Sequence, residues 1–143
     1  MRPLRWDSSY SVFLPQVDAE HRSLFRLANE LQTAVLSMAP QARLQETVQA
    51  LASHIEEHFS YEERLMRSSG YETLTWHKAQ HDGIRRRISR ARKQAAKADR
   101  EALLGFIEHI TGWLRDHTGL TDRMMSAYLR NYERQQQLQV SRA

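Results

Sequence analysis

Four stretches of this chain carry apolar residues at alternating spacings of three and four, and each stripe passes through histidine or glutamate without being broken by it. Such spacing keeps one face of a helix continuously buried. The first stripe is Val17, His21, Leu24, Ala28, Leu31, Val35 and Met38, and the second is Leu44, Val48, Leu51, Ile55, His58, Glu62 and Leu65. The third is Leu74, His77, His81, Ile84, Ile88, Ala91 and Ala95, and the fourth is Leu103, Phe106, Ile110, Trp113 and His117. With only 5 Gly and 3 Pro in 143 residues, the segments between stripes are short turns. The expected fold is all-α, an antiparallel up-down-up-down four-helix bundle with an N-terminal arm over residues 1–15 and a short C-terminal helix.

Boundary signals place the first helix from Asp18, as N-cap, to Met38, and the second from Pro40 to Ser68, stopped by Gly70. The third spans Leu74 to Ala98, and Asp99 or a neighbour opens a fourth that reaches at least His117. A shorter helix, "DRMMSAYLRNYER", follows, and the Gln-rich residues 134–143 are expected to fray. One domain over 1–143 accommodates all of this, because 41% hydrophobic content supplies a single core.

The polar members of the stripes point to chemistry. His21, His58, Glu62, His77, His81 and His117 take core-facing positions, whereas His54 and His109 fall beside them. An ionised Glu62 in a dry core costs several kcal/mol unless paired, and no Lys or Arg occupies any stripe. A metal ion supplies the missing positive charge. Side chains at i and i+4 on a helix point only about 40° apart, so His58 with Glu62, and His77 with His81, can each address one centre. Antiparallel topology puts the starts of the first and third helices level with the ends of the second and fourth, so all six residues meet at one end of the bundle.

Composition removes several alternatives. The chain has no cysteine, which excludes thiolate metal sites, iron–sulfur clusters and a cysteine nucleophile. No stretch approaches the roughly 18 to 20 apolar residues of a membrane span, and "MRPLRWDSSYSVFLP" lacks a signal-peptide pattern, so a cytoplasmic protein without a membrane partner is expected. The net charge of +4 owes much to "RRRISRARKQAAK" at 85–97. Without aromatic residues for base stacking, that run is read as a solvated face, and nucleic acid as a disfavoured partner.

The elements "VDAEH" (17–21), "HFSYEE" (58–63), "HKAQH" (77–81) and "WLRDHTGLTD" (113–122) together resemble the hemerythrin family in its bacterial single-domain form. The resemblance implies two iron ions (Fe2+/Fe3+) with an oxo or hydroxo bridge. His77, His81 and His117 would hold one iron, His21 and His58 the other, and Glu62 and Asp122 would bridge both. Two six-coordinate metals offer about twelve positions, and five imidazoles, two bridging carboxylates and one bridging oxygen leave about one open, on the iron with two histidines. In the family, O2 binds there reversibly, for carriage, storage, delivery or sensing, without catalytic residues.

The alternative is a di-iron oxidase or peroxidase, or a protein reactive toward nitric oxide or peroxide. Ferritin-like oxidases use a Glu-x-x-His motif that this sequence lacks. A zinc-holding bundle is the competing reading of the metal itself. By position in the motifs, Leu24, Phe59, Trp113, Leu114 and Thr118 are expected to line the O2 pocket; Thr118 stands where many family members carry Ile. Asp122 follows His117 by five residues, about 140° away on a regular helix, so the expectation is an irregular turn between them, around Gly119.

Overall fold

The computed structural model describes residues 2–142. A 3₁₀ turn at Ser8–Tyr10 precedes α1 (Pro15–Leu36), α2 (Gln41–Ser68), α3 (Leu74–Ala96) and α4 (Arg100–Asp116). A π-helical turn, His117–Thr121, then leads into α5 (Asp122–Arg142). Helix α1 packs against α2 and α4, and α3 packs against the same two, which closes the up-down-up-down ring. No helix is long and apolar enough to cross a membrane.

The members of the four stripes are buried except for Met38, Leu65, Leu74 and Trp113, and flanking residues such as Phe25, Phe59, Ile107 and Leu114 widen the core. Leu31, Leu44, Ile55, Ala91, Leu103 and Ile110 are inaccessible to solvent in one continuous core. Met38 departs from its stripe, at 69% exposure, because it lies past the end of α1 with a left-handed φ of 58°. There it closes the helix, with Ala39 N–H donating to Ala34 O across 2.9 Å. Ala98 and Gly70 close α3 and α2 in the same way, through Asp99 N–H to Gln94 O and Tyr71 N–H to Met66 O, both at 2.9 Å. Of the three stops, only the one at Gly70 announces itself in the sequence.

Asp99 caps α4 as expected, accepting from the Ala102 N–H. Asp18 does not cap α1. The helix begins three residues earlier, with Pro15 in its first turn, where a missing N–H costs nothing. Asp18 is instead buried and accepts from Ser11 Oγ (2.6 Å) and Val12 N–H (2.9 Å), tying the arm to the bundle. The arm lies along α1: Asn29 pairs with both backbone groups of Leu4, Arg22 covers Trp6, and Tyr10 meets Phe25 edge-on.

Helix α5 is longer than a short closing helix. It continues through the Gln-rich segment that was expected to fray, with residues 133–142 exposed. Its first half joins Met125 and Leu129 to Met66 in a second, smaller apolar cluster. That contact seats the start of α5, and with it Asp122, against the end of α2.

Candidate metal centre

Five polar side chains arrive on the seams of α1 to α3, and the π turn that follows α4 sets the other two, with His117 at its start and Asp122 just past its end. In that turn the Asp122 N–H donates to His117 O, an i+5 to i bond that widens the helix by one residue. Two residues that a regular helix would set about 140° apart therefore address one centre. Their separation is 2.8 Å between His117 Nε2 and Asp122 Oδ1. Gly119 lies in the turn but does not create it: its φ is not left-handed, and a Cβ there would meet nothing within 4 Å.

Two groups form, each with potential ligand atoms all within 4.8 Å of one another: Glu62, His77, His81 and His117, and His21, His58, Glu62 and Asp122. Glu62 belongs to both, with Oε1 3.0 Å from His58 Nε2 and 3.4 Å from His81 Nε2. Asp122 also faces both. Its Oδ1 is 3.2 Å from His77 Nε2, while Oδ2 is 2.9 Å from His21 Nε2 and 4.0 Å from His58 Nε2. All seven residues are buried.

Apart from a 3.0 Å contact between Nε2 of His21 and Nε2 of His58, this proximity leaves most of the facing atoms without a hydrogen bond. Both oxygens of Glu62 and of Asp122, and Nε2 of His77, His81 and His117, are buried without a hydrogen-bond partner. Buried polar atoms are nearly always satisfied, so a convergent set of this size marks a place where something else completes them. Nitrogen and carboxylate donors in these numbers suit a first-row transition metal.

Three of the five histidines have the opposite ring nitrogen supported from a neighbouring helix, whereas Nδ1 of His21 and of His77 is buried without a partner. His58 Nδ1 is 2.5 Å from Glu20 Oε2, His81 Nδ1 is 2.8 Å from Glu63 Oε2, and His117 Nδ1 is 3.2 Å from Gln80 Oε1. Each acceptor can accept from the Nδ1–H, which in the neutral ring leaves the Nε2 lone pair toward the centre, an arrangement typical of metal-ligating histidine. Sequence reasoning missed Glu20, Glu63 and Gln80, although a signal was present. Each is the immediate neighbour of a core-facing residue (His21, Glu62 and His81), and so is turned about 100° toward an adjacent helix.

Among the described residues, the charged partners within 4.0 Å of Glu62 and Asp122 are all imidazoles. Burial and the Asp122 charge both push the Glu62 carboxyl up, but the His58 and His81 imidazoles beside it outweigh them and hold it at about 2. Burial likewise opposes ionisation of Asp122, and His117 overcomes it, so this carboxyl lies well below its ordinary value. Burial disfavours a charged His58, yet Glu62, Asp122 and Glu20 raise its pKa well above the usual imidazole value. In the metal-free protein, a proton on His58 balances charge that a metal would otherwise balance.

The structure places the expected pocket residues as follows. Leu24, Leu114 and Thr118 are each 1% exposed. Phe59 stacks on His81 (3.8 Å between centroids, 3° between planes) and Trp113 on His117 (4.2 Å, 15°), so both aromatic rings wall the three-histidine half. Phe59 is farther from His58, at 6.2 Å. His54 is exposed, its Nδ1 3.0 Å from Ala50 O, and takes no part in either group.

A sequence model of the hemerythrin HHE cation binding domain matches residues 12–129. A bacteriohemerythrin from Stenotrophomonas maltophilia is 27% identical over 143 aligned residues, covering 96% of this chain and 91% of its own length. One from Clostridium acetobutylicum is 25% identical over 122, covering 82% and 95%. Myohemerythrin from Theromyzon tessulatum is 34% identical over 79, which is 55% of this chain and 60% of its own length. In fold, a solved wild-type hemerythrin superposes with a TM-score of 0.79 at 20% identity, over 90% of this chain and 98% of that one. With the family match spanning all five helices up to Leu129, the chain belongs to the hemerythrin family and carries its HHE cation-binding domain.

Proposed function

We propose that His77, His81 and His117 hold one iron, that His21 and His58 hold a second, and that Glu62 and Asp122 bridge them. On this reading the protein binds O2 reversibly and is not an enzyme. The observation that carries it is that each of two buried carboxylates faces histidines of both groups, as a bridging ligand must. The iron pair would supply the electrons that O2 binding requires.

The protein's own residues do the rest. Five neutral imidazoles contribute no charge, so the two carboxylates alone would offset that of the metals. Glu20, Glu63 and Gln80 fix the ring orientations before metal arrives. The apolar surroundings of Leu24, Leu114, Phe59 and Trp113 exclude water, which limits loss of a bound oxidant as superoxide.

Metal analysis followed by anaerobic reduction and mixing with O2 tests the proposal. Two irons per chain and a charge-transfer absorption that appears with O2 and bleaches on its removal are expected. A single zinc with no oxygen-dependent band would refute it.

A further inference from the structure

The three supporting acceptors differ in what holds them. Gln80 is neutral. Glu20 is partly exposed and borders an open groove of about 200 Å³ with Gln16, Ser23, His54 and Glu57. Glu63 alone is gripped by a cation: Arg85 Nη1 lies 2.9 Å from the same Oε2 that receives the His81 proton.

Arg85 is itself fixed on several sides. Its Nε and Nη2 engage both oxygens of Glu56, at 2.8 and 3.3 Å, and Nη1 also meets Asp82 Oδ1 at 2.9 Å. Its guanidinium carbon sits 5.3 Å from the centroid of Phe59, the ring stacked on His81. Arg85 therefore touches both groups that orient His81, the carboxylate at its Nδ1 and the ring against its face. The sequence permits this because Arg85 lies one turn beyond His81 on α3, while Glu56, Phe59 and Glu63 recur at three and four along the facing side of α2.

We infer that Arg85 is the positioning residue of the three-histidine half, holding Glu63 and Phe59 so that His81 Nε2 is aimed at the metal. The inference rests on the metal-centre reading above and adds an asymmetry to it. A guanidinium on Glu63 shares the charge of that carboxylate, which moderates its pull on the His81 proton. His58, whose acceptor Glu20 meets no Lys or Arg within 4.0 Å among the described residues, lacks that moderation. The two halves thus carry differently tuned imidazoles, one set by a carboxylate held in an ion network with Arg85 and one by Glu20 at the edge of a groove.

The test is anaerobic Co2+ titration of the metal-free protein, followed by absorption and by proton NMR of the shifted ring N–H signals. Wild type is expected to take up two ions. Arg85→Met should keep that stoichiometry but bind one ion about 10- to 100-fold more weakly, the usual cost of losing a ligand's hydrogen-bonded support. The His81 N–H signal should shift and exchange faster, while those of His58 and His117 stay in place. Arg85→Lys should recover part of the affinity, because it restores charge beside Glu63 but not the fork on Glu56.

Should Arg85→Met fail to fold, Glu56→Ala, which removes only the exposed anchor of Arg85, is expected to give the same selective loss in smaller degree. Equal weakening of both ions, or no change in the His81 signal, overturns the role of Arg85 and leaves the metal centre standing. A wild-type protein that takes up fewer than two ions overturns the metal centre and this inference together.

Discussion

Replacing Glu62 by Gln probes the centre most directly, because one carboxylate serves both halves. The side chain is fully buried, and its Oε1 approaches His58 on one side and His81 on the other. Glutamine keeps the shape and removes the charge. A metal that binds only the folded chain adds about 4 kcal/mol per site at a thousandfold excess over Kd, hence about 8 kcal/mol for two. At roughly 2–4 °C per kcal/mol for a chain near this size, saturation should raise the melting temperature of the parent by about 16–32 °C.

The variant should lose most of that increment. Its metal-free form should change far less. Breaking a buried ion pair costs about 3–5 kcal/mol when a charge is stranded, but His58 retains Glu20 at 2.5 Å and Asp122 at 4.0 Å. Relief of repulsion between Glu62 and Asp122 further offsets the loss. Thermal melts by circular dichroism, with and without metal, read both quantities, and exposed His54→Ala serves as the control that keeps the full increment. A Glu62→Gln protein with two metals and an undiminished shift would refute the bridging assignment.

In the metal-free protein, the depressed Glu62 and Asp122 contribute stability that is complete above about pH 4.5 and lost as pH falls toward 2. The raised His58 contributes stability that is complete below about pH 6.5 and lost as pH climbs through its folded pKa. Metal-free melting temperatures should therefore peak between these limits and decline on the alkaline side, a decline absent once metal has displaced the His58 proton; a metal-free protein that gains stability from about pH 6.5 to 9 contradicts this. Thr118→Ile, which removes a buried hydroxyl beside His117, should slow autoxidation of the oxygenated protein, measured as decay of its absorption; an equal or faster rate counts against a polar role for Thr118. Gly119→Ala should leave metal stoichiometry unchanged and alter stability by no more than about 1 kcal/mol, since the π turn needs neither a left-handed φ nor the missing Cβ; loss of metal would show that the glycine is required after all.

The local pattern of the chain was enough to place the helices and much of the site. Spacings of three and four determine which face of a helix is buried, and short turns force neighbours to run antiparallel. His21, His58, Glu62, His77, His81 and His117 were therefore legible as one level of a bundle before any coordinates. The ends of the first and third helices were placed within two residues, at Met38 and Ala98, but their left-handed closing conformation was not legible, because neither residue type favours it. Nor was Asp18 as an anchor of the arm, since its partners lie upstream in a segment without periodicity.

Asp122 stood between the two cases. Its sequence distance from His117 demanded an irregular backbone, but only the packed structure supplied the form, a single i+5 turn held open while Met125 and Leu129 seat α5 against Met66. The supports at Glu20, Glu63 and Gln80, and the grip of Arg85, were likewise decided by tertiary structure. Periodicity is a property of one helix and says which residues point inward. Which oxygen receives a given imidazole proton depends on the rotation and spacing of two helices against each other, and those are settled only when the whole core packs.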